Sequence, residues 1–414
     1  MEDLVMALTG VLFFILFAFL GFIFVVFLVS RCVKRKEIDF KPKVSIVIPT
    51  FNEEKNIKEC LDSIFDSDYP KEKIEVIVVD DGSKDKTTNI VNDYKKVHLL
   101  KQNHCGKSEA LNLGALKASH EFILTIDADT IIDKDCIKEI VKPLADKMVG
   151  ASTGNSRVKN SNSLAGIFQN IEYHYNNLIR NVFSIVFKNG IWFFGALACY
   201  RKSVLVKIGH FKKDSMTEDM DIALEIKKEG YKTINVHNAF GYTIVPKNFR
   251  ELYTQRSRWW VGVLQSLIKN RDMFSHKSSP AILFLFVNQF WWSFYAFLSF
   301  PAILYQVNYW LPYNSQSFAS LFGYLFRWFS LSGPIFVLYK LPVWGISFYS
   351  FFGVLSGIIS TIMIVAAIKM FKDRINFKNM FAIFFYFPYT IILNIIIVIS
   401  LLRPELWRKK AFIR

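Results

Sequence analysis

The side chains best suited to chemistry in this sequence are carboxylates, which occur in three short motifs. These are DDGS at residues 80–83, DAD at 127–129 and TED at 217–219. Two carboxylates at positions i and i+2 form a hard, oxygen-rich site that suits Mg²⁺ or Mn²⁺, and these ions take further ligands from substrate phosphates. A carboxylate beside a hydroxyl can also accept its proton while that hydroxyl attacks an electrophile. The groups are therefore candidates for a metal site and a general base.

Each carboxylate group also has an ordinary structural interpretation. Asp is a common turn former after a strand, and a DxD pair alone is a weak motif. Glu218 and Asp219 would favour a helix N-terminus through the helix dipole even without a catalytic role, and Thr217 is a good N-cap. Spacing alone leaves both interpretations open.

Basic and aromatic residues add candidates for binding a phosphate and a sugar. Lys107 begins the GKSEALN segment directly after a glycine, and YTQRSRWWVG covers residues 253–262. Arg258 could hold a diphosphate with two parallel hydrogen bonds, and Trp259 offers a flat apolar face to a sugar ring. The alternative is a helix at the membrane interface, because apolar residues follow Trp259 at helical spacing.

The elements between these motifs predict an α/β sheet. VSIVIPT (44–50), IEVIVVD (74–80) and FILTI (122–126) have the pattern of buried strands, and helical patterns follow at 52–65 and 106–119. Alternating strands and helices predict a largely parallel sheet, and ligands on such sheets bind beyond the carboxyl ends of the strands. Five candidate residues fall at those ends: Thr50, Asp80, Asp81, Asp127 and Asp129.

The apolar runs outside this region predict membrane helices. Hydrophobic residues make up 52% of the 414 residues, and Leu4–Val29 is long enough to span a bilayer. Acidic residues precede this first run and basic ones follow it, so we expect an uncleaved anchor with the N-terminus outside. Further candidate spans are 281–306, 318–339, 345–368 and 380–402, the second of which contains Arg327.

The net charge of +16 is concentrated next to the apolar runs. This placement indicates positive-inside topology and contact with membrane lipid, and it disfavours nucleic acid as a partner. Four C-terminal spans would leave the basic tail in the cytoplasm and put the basic loop at 369–378 outside, whereas three would reverse both. The charge pattern does not decide between three and four spans.

Taken together, the motifs resemble those of the family 2 glycosyltransferases, which have a GT-A nucleotide-sugar domain. The residues that carry the resemblance are PTFNEE, DDGS, GKSEALN, DAD, TED and QRSRW, within about residues 43–260. The similarity is greatest to the membrane-bound branch that contains the cellulose, chitin, hyaluronan and poly-N-acetylglucosamine synthases. The resemblance implies a Rossmann-like α/β GT-A domain inserted between transmembrane helices.

The resemblance also implies roles for individual residues. Asp219 would be the general base with Glu218 beside it, and Asp129 would be the firmer metal ligand of a pair with Asp127. The residues implied in binding the nucleotide sugar are Thr50, Phe51, Glu53, Asp80, Asp81, Lys107 and Asp127. Those implied at the acceptor or the diphosphate are Gly195, Gln255, Arg256, Arg258 and Trp259. The SGP-like form of some relatives is absent at Gly195, which weakens that assignment.

These patterns predict three regions: a transmembrane helix and basic linker (1–42), a cytoplasmic GT-A domain (43–275), and a C-terminal region of three or four spans (276–414). The function implied is an inverting transfer from a UDP-sugar, with N-acetylglucosamine the leading sugar, to a growing β-linked polysaccharide at the cell membrane, assisted by Mg²⁺ or Mn²⁺. The alternatives are transfer of one sugar to a lipid acceptor and a catalytically dead scaffold or transporter. The sequence leaves accessory subunits undecided.

Overall fold

The structure is a computed structural model that describes residues 2–34, 38–310, 332–346 and 348–408. Its strands, in chain order, are β1 (Val44–Thr50), β2 (Ile74–Asp80), β3 (Val97–Lys101), β4 (Phe122–Ile126), β5 (Ile131–Ile132), β6 (Val149–Val158), β7 (Leu197–Arg201) and β8 (Lys232–Thr243). They form one mixed sheet in the order β3-β2-β1-β4-β7-β6-β8-β5. The sheet is the frame that carries the candidate site.

Fourteen α-helices lie within the described residues. They are α1 (Glu2–Cys32), α2 (Ile57–Phe65), α3 (Thr87–Asn92), α4 (Lys107–Lys117), α5 (Cys136–Val141), α6 (Leu164–Phe187), α7 (Lys202–Lys207), α8 (Glu218–Lys228), α9 (Phe249–Lys269), α10 (Pro280–Trp310), α11 (Ser332–Trp344), α12 (Phe348–Met370), α13 (Phe377–Phe384) and α14 (Tyr386–Leu402).

The first half of the sheet is parallel, as the sequence predicts. β1 pairs with β2 and with β4 in parallel, and β2 pairs with β3 in the same sense. Successive side chains of a strand point to opposite faces, so Ile46 and Ile48 pack with Leu61 of α2 while Val47 packs with Leu111 of α4. Each such buried side chain contributes about 1.5–3 kcal/mol of burial free energy.

The second half of the sheet departs from the predicted parallel arrangement. β7 runs antiparallel to both β4 and β6, and β5 runs antiparallel to β8, whereas β6 and β8 are parallel. An apolar strand pattern reports burial, and the direction of a strand depends on the path of its connections. "Largely parallel" therefore holds only for the first half.

Helix α6 connects the sheet to the apolar helices. Its residues Leu178 and Phe183 pack in one cluster with Ile23 of α1. On its other side, Asn177 Nδ2 donates to the carbonyl oxygen of Ser156 and Arg180 Nη2 to that of Gly154, both on β6. The apolar side of α6 therefore faces α1, and its polar side is buried against the sheet.

Three helices of the described residues are long and apolar enough to cross a membrane: Ala7–Cys32, Pro280–Pro301 and Phe351–Met370. The single span predicted at 380–402 is instead the bent pair α13 and α14, with an angle of 60° between them. Most of the predicted span 318–339, including Arg327, lies outside the described residues, as do Lys409, Lys410 and Arg414 of the basic tail.

Candidate functional site

The ammonium group of Lys107 joins two of the carboxylate motifs at one point. Its Nζ lies 2.7 Å from Oδ1 of Asp127 and 3.1 Å from Oε1 of Glu218. Burial acts to lower the pKa of Lys107, but the Coulomb attraction of Asp127 and Glu218 outweighs it and the pKa is raised. The GK, DAD and TED motifs, which are far apart in the sequence, therefore meet at a cation.

Asp219 lies in the first turn of α8, where its carboxylate is fixed by two backbone amides. Gly195 N donates to its Oδ2 over 3.0 Å, and Met220 N donates to its Oδ1 over 2.8 Å. Burial first, and then the negative charge of Glu218, raise the pKa of Asp219 to about 6. A carboxyl group with this pKa is ionised near neutral pH and is a stronger base than an ordinary Asp.

The helix start at Thr217 explains where these carboxylates point. Thr217 occupies the N-cap position, as predicted, although its side chain makes no capping hydrogen bond. Instead its carbonyl oxygen accepts from Met220 N and Asp221 N. Glu218 and Asp219 follow immediately and lie in the first turn, where the positive end of the helix dipole favours their charge.

Asp129 lies in a cluster of negative charge beside this pair. Burial first, then Asp127 and Glu53, raise the pKa of Asp129 to about 6, and burial likewise raises the pKa of Glu53. The side chain of Thr130 donates to Asp129 Oδ1 at 3.3 Å. Carboxylates held together in this way are stabilised by a bound cation.

The residues present fit a divalent cation whose coordination is completed by substrate. Within the described residues no group of three His, Cys, Asp or Glu side chains forms a metal cage. Asp127 is paired with Lys107, which leaves Asp129 as the carboxylate best placed to bind a metal. Mg²⁺ and Mn²⁺ suit such a site because they bind through one or two carboxylates plus phosphate oxygens and water.

The loop before α4 is organised around Asp81. Gln102 Nε2, Cys105 N and Gly106 N donate to its carboxylate over 2.6, 2.8 and 2.8 Å. Gly106 has a φ of +95°, a conformation that glycine adopts without strain. His104 Nδ1 lies 2.9 Å from Asp81 Oδ2. Asp81 therefore fixes the loop that positions Lys107.

Phe51 and His104 form an aromatic pair at the edge of this loop. Their rings stack at 4.3 Å between centroids, with 28° between the planes. Phe51 follows Thr50, whose carbonyl oxygen accepts from Asp81 N over 2.9 Å, and Thr50 is in register with Asp80 across the parallel pair. The predicted nucleotide residues at the ends of β1 and β2 are thus brought together.

His104 and Gln102 were missed by the sequence analysis. Their position was the available signal, because both lie between the end of β3 and the GK motif that begins α4. Glu172 was missed as well. It lies on α6, whose polar side is buried against the sheet.

The QRSRW segment begins on α9 with a buried ion pair. Arg256 Nη2 donates to Glu172 Oε2 over 2.9 Å, its Nη1 donates to Gln255 Oε1 over 2.7 Å, and its guanidinium lies 4.4 Å from the ring centroid of Trp259. Tyr389 of α14 donates to the same Glu172 oxygen over 2.6 Å. Gln255, Arg256 and Trp259 are therefore engaged with α6 and α14 in this structure.

Arg258 differs from Arg256, because its side chain is exposed and its positive charge acts on Glu218. Burial, the largest influence, raises the pKa of Glu218. The charge of Lys107 and, to a smaller extent, that of Arg258 lower it, and the net effect is a lowered pKa. Of the two arginines, Arg258 is the one available to a diphosphate. Direct contacts link the other candidate residues: Lys107 contacts Asp127 and Glu218, and Gly195 contacts Asp219, which follows Glu218 in the chain.

Comparison with known proteins identifies a family model that matches part of this chain. Residues 45–210 match the family model described as Glycosyl transferase family 2. The chain is 31% identical over 234 residues to a poly-beta-1,6-N-acetyl-D-glucosamine synthase of Staphylococcus epidermidis, and 31% identical over 247 residues to one of Staphylococcus aureus strain COL. These alignments cover 55% and 58% of this chain and only 56% and 58% of the relatives' length.

The fold is similar to that of a solved structure. That structure is the mannosyltransferase PcManGT from Pyrobaculum calidifontis, in complex with GDP-Man and Mn²⁺. The TM-score is 0.59 at 23% identity, and the match covers 88% of this chain and 99% of that one. This likeness establishes the fold, a GT-A-like mixed sheet with flanking apolar helices.

Proposed function

We propose that this chain, which contains a family 2 glycosyltransferase domain, is an inverting membrane glycosyltransferase. It transfers a sugar from a UDP-sugar to a growing β-linked polysaccharide. The observation that carries the proposal is the position of Lys107, whose ammonium contacts Asp127 and Glu218. This contact joins the DxD motif to the first turn that contains Asp219, so a metal-bound diphosphate and a base would face the same sugar.

Asp219 would accept the proton of the acceptor hydroxyl. Each carboxylate oxygen accepts one amide hydrogen bond in the structure, and a second lone pair remains for the incoming proton. The acceptor oxygen would form a bond to the anomeric carbon while the bond from that carbon to UDP breaks, its electron pair leaving on the diphosphate. A single displacement of this kind inverts the anomeric configuration.

The charge that develops on departing UDP would be offset by cations of this chain. Lys107 is already held between the carboxylates, and Arg258 lies where its charge acts on Glu218. Preorganised cations of this type stabilise a transition state without reorganisation during the reaction. Asp129, with Asp127, would hold Mg²⁺ or Mn²⁺, and the bound ion would act as a Lewis acid on the diphosphate.

The nucleotide would bind at the ends of β1 and β2. Phe51 presents an aromatic ring at this place. Asp80 would accept from the ribose or the uracil, and Asp81 would act through the loop that its carboxylate holds. Thr50 Oγ1 is buried with no hydrogen-bond partner among the described residues, which supports a bound ligand at this point. Glu53 is close enough for its charge to raise the pKa of Asp129.

The polymer product and the sugar are supported by the relatives named poly-beta-1,6-N-acetyl-D-glucosamine synthase. Trp291 and Trp292 of α10 pack with Phe19 of α1, and these contacts do not decide between extrusion of a polymer and release of a lipid product. The size of the product must therefore be measured. A single transfer to a lipid acceptor is the other outcome of that measurement.

Contacts with the sheet support a membrane topology with an even number of crossings between Pro280 and Met370. The start of α10 packs on α8, where Ile282 joins the cluster of Met220. The end of α12 returns to the same domain, because Arg157 Nη2 of β6 donates to the carbonyl oxygen of Phe371. Residues 43–275 and the basic loop after α12 would then lie on one side, the cytoplasmic side by the positive-inside rule.

Helix α14 would lie along the membrane surface beside α9. Ser400 Oγ donates to Ser257 Oγ over 2.8 Å, and Gln265 Nε2 donates to the carbonyl oxygen of Trp407 over 2.6 Å. The two helices therefore run side by side in the same direction, and the C-terminal end returns to the catalytic domain. This arrangement would bring the basic loop after α12, together with Arg403 and Arg408, to the cytoplasmic side, with an even number of crossings before α13.

The test is release of UDP by purified full-length protein with Mn²⁺, supplied in turn with UDP-N-acetylglucosamine, UDP-glucose and UDP-glucuronate, followed by sizing of the product. Asp219→Asn is the inactive variant, and Asp214→Asn, at an exposed position before α8, is the matched control. A long polymer from one donor supports the proposal. A small lipid-extractable product would assign single transfer, and no turnover with any donor would reject enzymatic activity of the isolated chain.

A further inference from the structure

A polar cavity lies where the sheet meets the loop after α12, away from the candidate catalytic residues. Its volume is about 260 Å³, enough for several water molecules at about 30 Å³ each. Residues from β6, α6, β8 and the 373–379 segment line it, and none of them belongs to the site described above. The lining residues that carry the argument are Arg157, His174, Tyr242, Asp373, Lys378 and Asn379.

Arg157 is held in place with part of its guanidinium unused. Its Nη1 donates to the hydroxyl of Tyr242 over 2.9 Å and its Nη2 to the carbonyl oxygen of Phe371, while the ring of Phe240 lies 4.0 Å from the guanidinium carbon. Its Nε is buried and has no hydrogen-bond partner among the described residues. A buried donor without a partner is destabilising, and a ligand that accepts from it would relieve this cost.

His174 supplies a second unused polar atom. Only 3% of its surface is exposed, and its Nδ1 lies 2.7 Å from the carbonyl oxygen of Asn170. Because Nδ1 faces a carbonyl oxygen it carries a proton, which leaves Nε2 as the acceptor of the neutral ring; burial lowers the pKa of His174 and favours this form, whereas the charge of Asp373 opposes it. That Nε2 forms no hydrogen bond within the described chain and lies 3.4 Å from Asp373 Oδ2.

The charge of the cavity favours an anion. Arg157 and Lys378 line it with one carboxylate, Asp373, which already accepts from Asn170 Nδ2 at 3.2 Å. Asp133 does not line the cavity, but its negative charge attracts Arg157 and its carboxylate is hydrogen-bonded to the side chain of Tyr242. Lys369, in the last turn of α12, and Arg374, in the loop after it, add positive charge to the segment that leads into the lining.

We propose that this cavity binds a phosphate-bearing anion with a hydroxyl group, the phosphate at Arg157 and Lys378 and the hydroxyl donating to His174. The cavity lies directly after α12, a helix long enough to cross a membrane. The phosphodiester of a glycerol-headgroup lipid is therefore one source of this chemistry, and free inorganic phosphate is the other. The inference does not depend on sugar transfer.

Retention of lipid tests the first source. Full-length protein is placed in nanodiscs with equal parts of phosphatidylglycerol and phosphatidylcholine. Native mass spectrometry of the protein released from the nanodiscs then measures which lipid remains bound. We expect phosphatidylglycerol to be retained about tenfold over phosphatidylcholine, and Lys378→Gln to reduce that preference about fivefold. Arg157→Gln should remove it, and the exposed Lys378 keeps the test valid if Arg157→Gln fails to fold. Lys372→Gln is the matched control, because that side chain is on the same loop and does not line the cavity.

Thermal unfolding in neutral detergent tests the second source. Sodium phosphate is compared with sodium chloride at equal ionic strength. A rise in unfolding temperature with phosphate that Lys378→Gln loses, without a lipid preference, identifies free phosphate as the ligand. No preference and no rise, or effects unchanged in Lys378→Gln and Arg157→Gln, would overturn the proposal.

Discussion

The backbone amide of Gly195 donates to Oδ2 of Asp219 over 3.0 Å, and a Cβ on Gly195 would lie 2.5 Å from Cβ of Asp219. Real Cβ atoms do not approach so closely, so any side chain at position 195 must displace the carboxylate. Gly195 is therefore the residue whose absence of a side chain sets the position of the proposed base.

We expect Gly195→Ala to lower kcat by about 100-fold, because a displacement of about 1 Å is enough to cost that much in a positioned site. The measurement is steady-state UDP release. Gly21→Ala on α1, where an added Cβ meets nothing within 4 Å, should leave kcat unchanged. Full activity of Gly195→Ala would show that Asp219 can move without loss and is not the base.

The pH dependence of kcat should report Asp219. Its pKa is raised to about 6 by burial and by Glu218, and a base must be ionised to accept a proton. With saturating Mn²⁺, kcat should be constant above about pH 7 and fall about tenfold for each pH unit below about pH 6. An acid limb near the ordinary Asp value of 3.8 would contradict this assignment.

Replacement of Lys107 should move that acid limb. The charge of Lys107 lowers the pKa of Asp219, so Lys107→Met should shift the limb to higher pH as well as lower kcat, by about 100-fold. Lys117→Met, at the exposed end of the same helix, is the control. A decrease in kcat with an unmoved limb would mean that Lys107 acts only on the diphosphate.

Asp129→Asn should have opposite effects with and without metal. The pKa of Asp129 rises from 3.8 to about 6 on folding, so wild type loses stability as the pH increases from about 4 through about 6, by at most about 3 kcal/mol. Without metal at pH 8, the variant should therefore unfold at higher temperature than wild type. Mn²⁺ should stabilise wild type and the control variant Asp135→Asn, but not Asp129→Asn.

The buried pair of Arg256 and Glu172 should be costly to break. Arg256→Met leaves Glu172 charged and buried, and we expect a loss of about 3–5 kcal/mol in the free energy of unfolding. Arg250→Met, exposed on the same helix, should change it little. Adding Glu172→Gln to Arg256→Met should restore part of the loss, and if the double variant were no more stable than the single one, the pair would not be the cause.

The sequence predicted the parts of the fold that depend on local pattern. β1 at Val44–Thr50 and its parallel pairing with β2 and β4 agree with it, because apolar runs define strands and alternating strands and helices favour parallel pairing. It could not predict that β7 is antiparallel or that α13 and α14 are bent by 60°, since both depend on connections and packing.

The site shows the same division. The sequence analysis singled out Arg258 for a diphosphate but put Arg256 in the same acceptor or diphosphate set, and the tertiary structure separates the two, because Arg256 is paired with Glu172 and Arg258 is exposed. Glu172 is one polar residue on a long helix, and nothing in its own sequence context signals that its partners come from α9 and α14. The local hydrophobic periodicity of a sequence does not predict contacts between distant segments.

The side-by-side contact of α9 and α14 has a practical consequence for recombinant work on this protein. Leu252 of α9 packs in a cluster with Tyr389 and Ile396. A polypeptide of residues 43–275 would keep α9 and lose its cover, leaving apolar side chains and the Glu172–Arg256 pair open to water. Such a fragment would aggregate or require detergent although it lacks the three helices that are long and apolar enough to cross a membrane, so the soluble part of this protein does not end where the sequence pattern places the domain boundary.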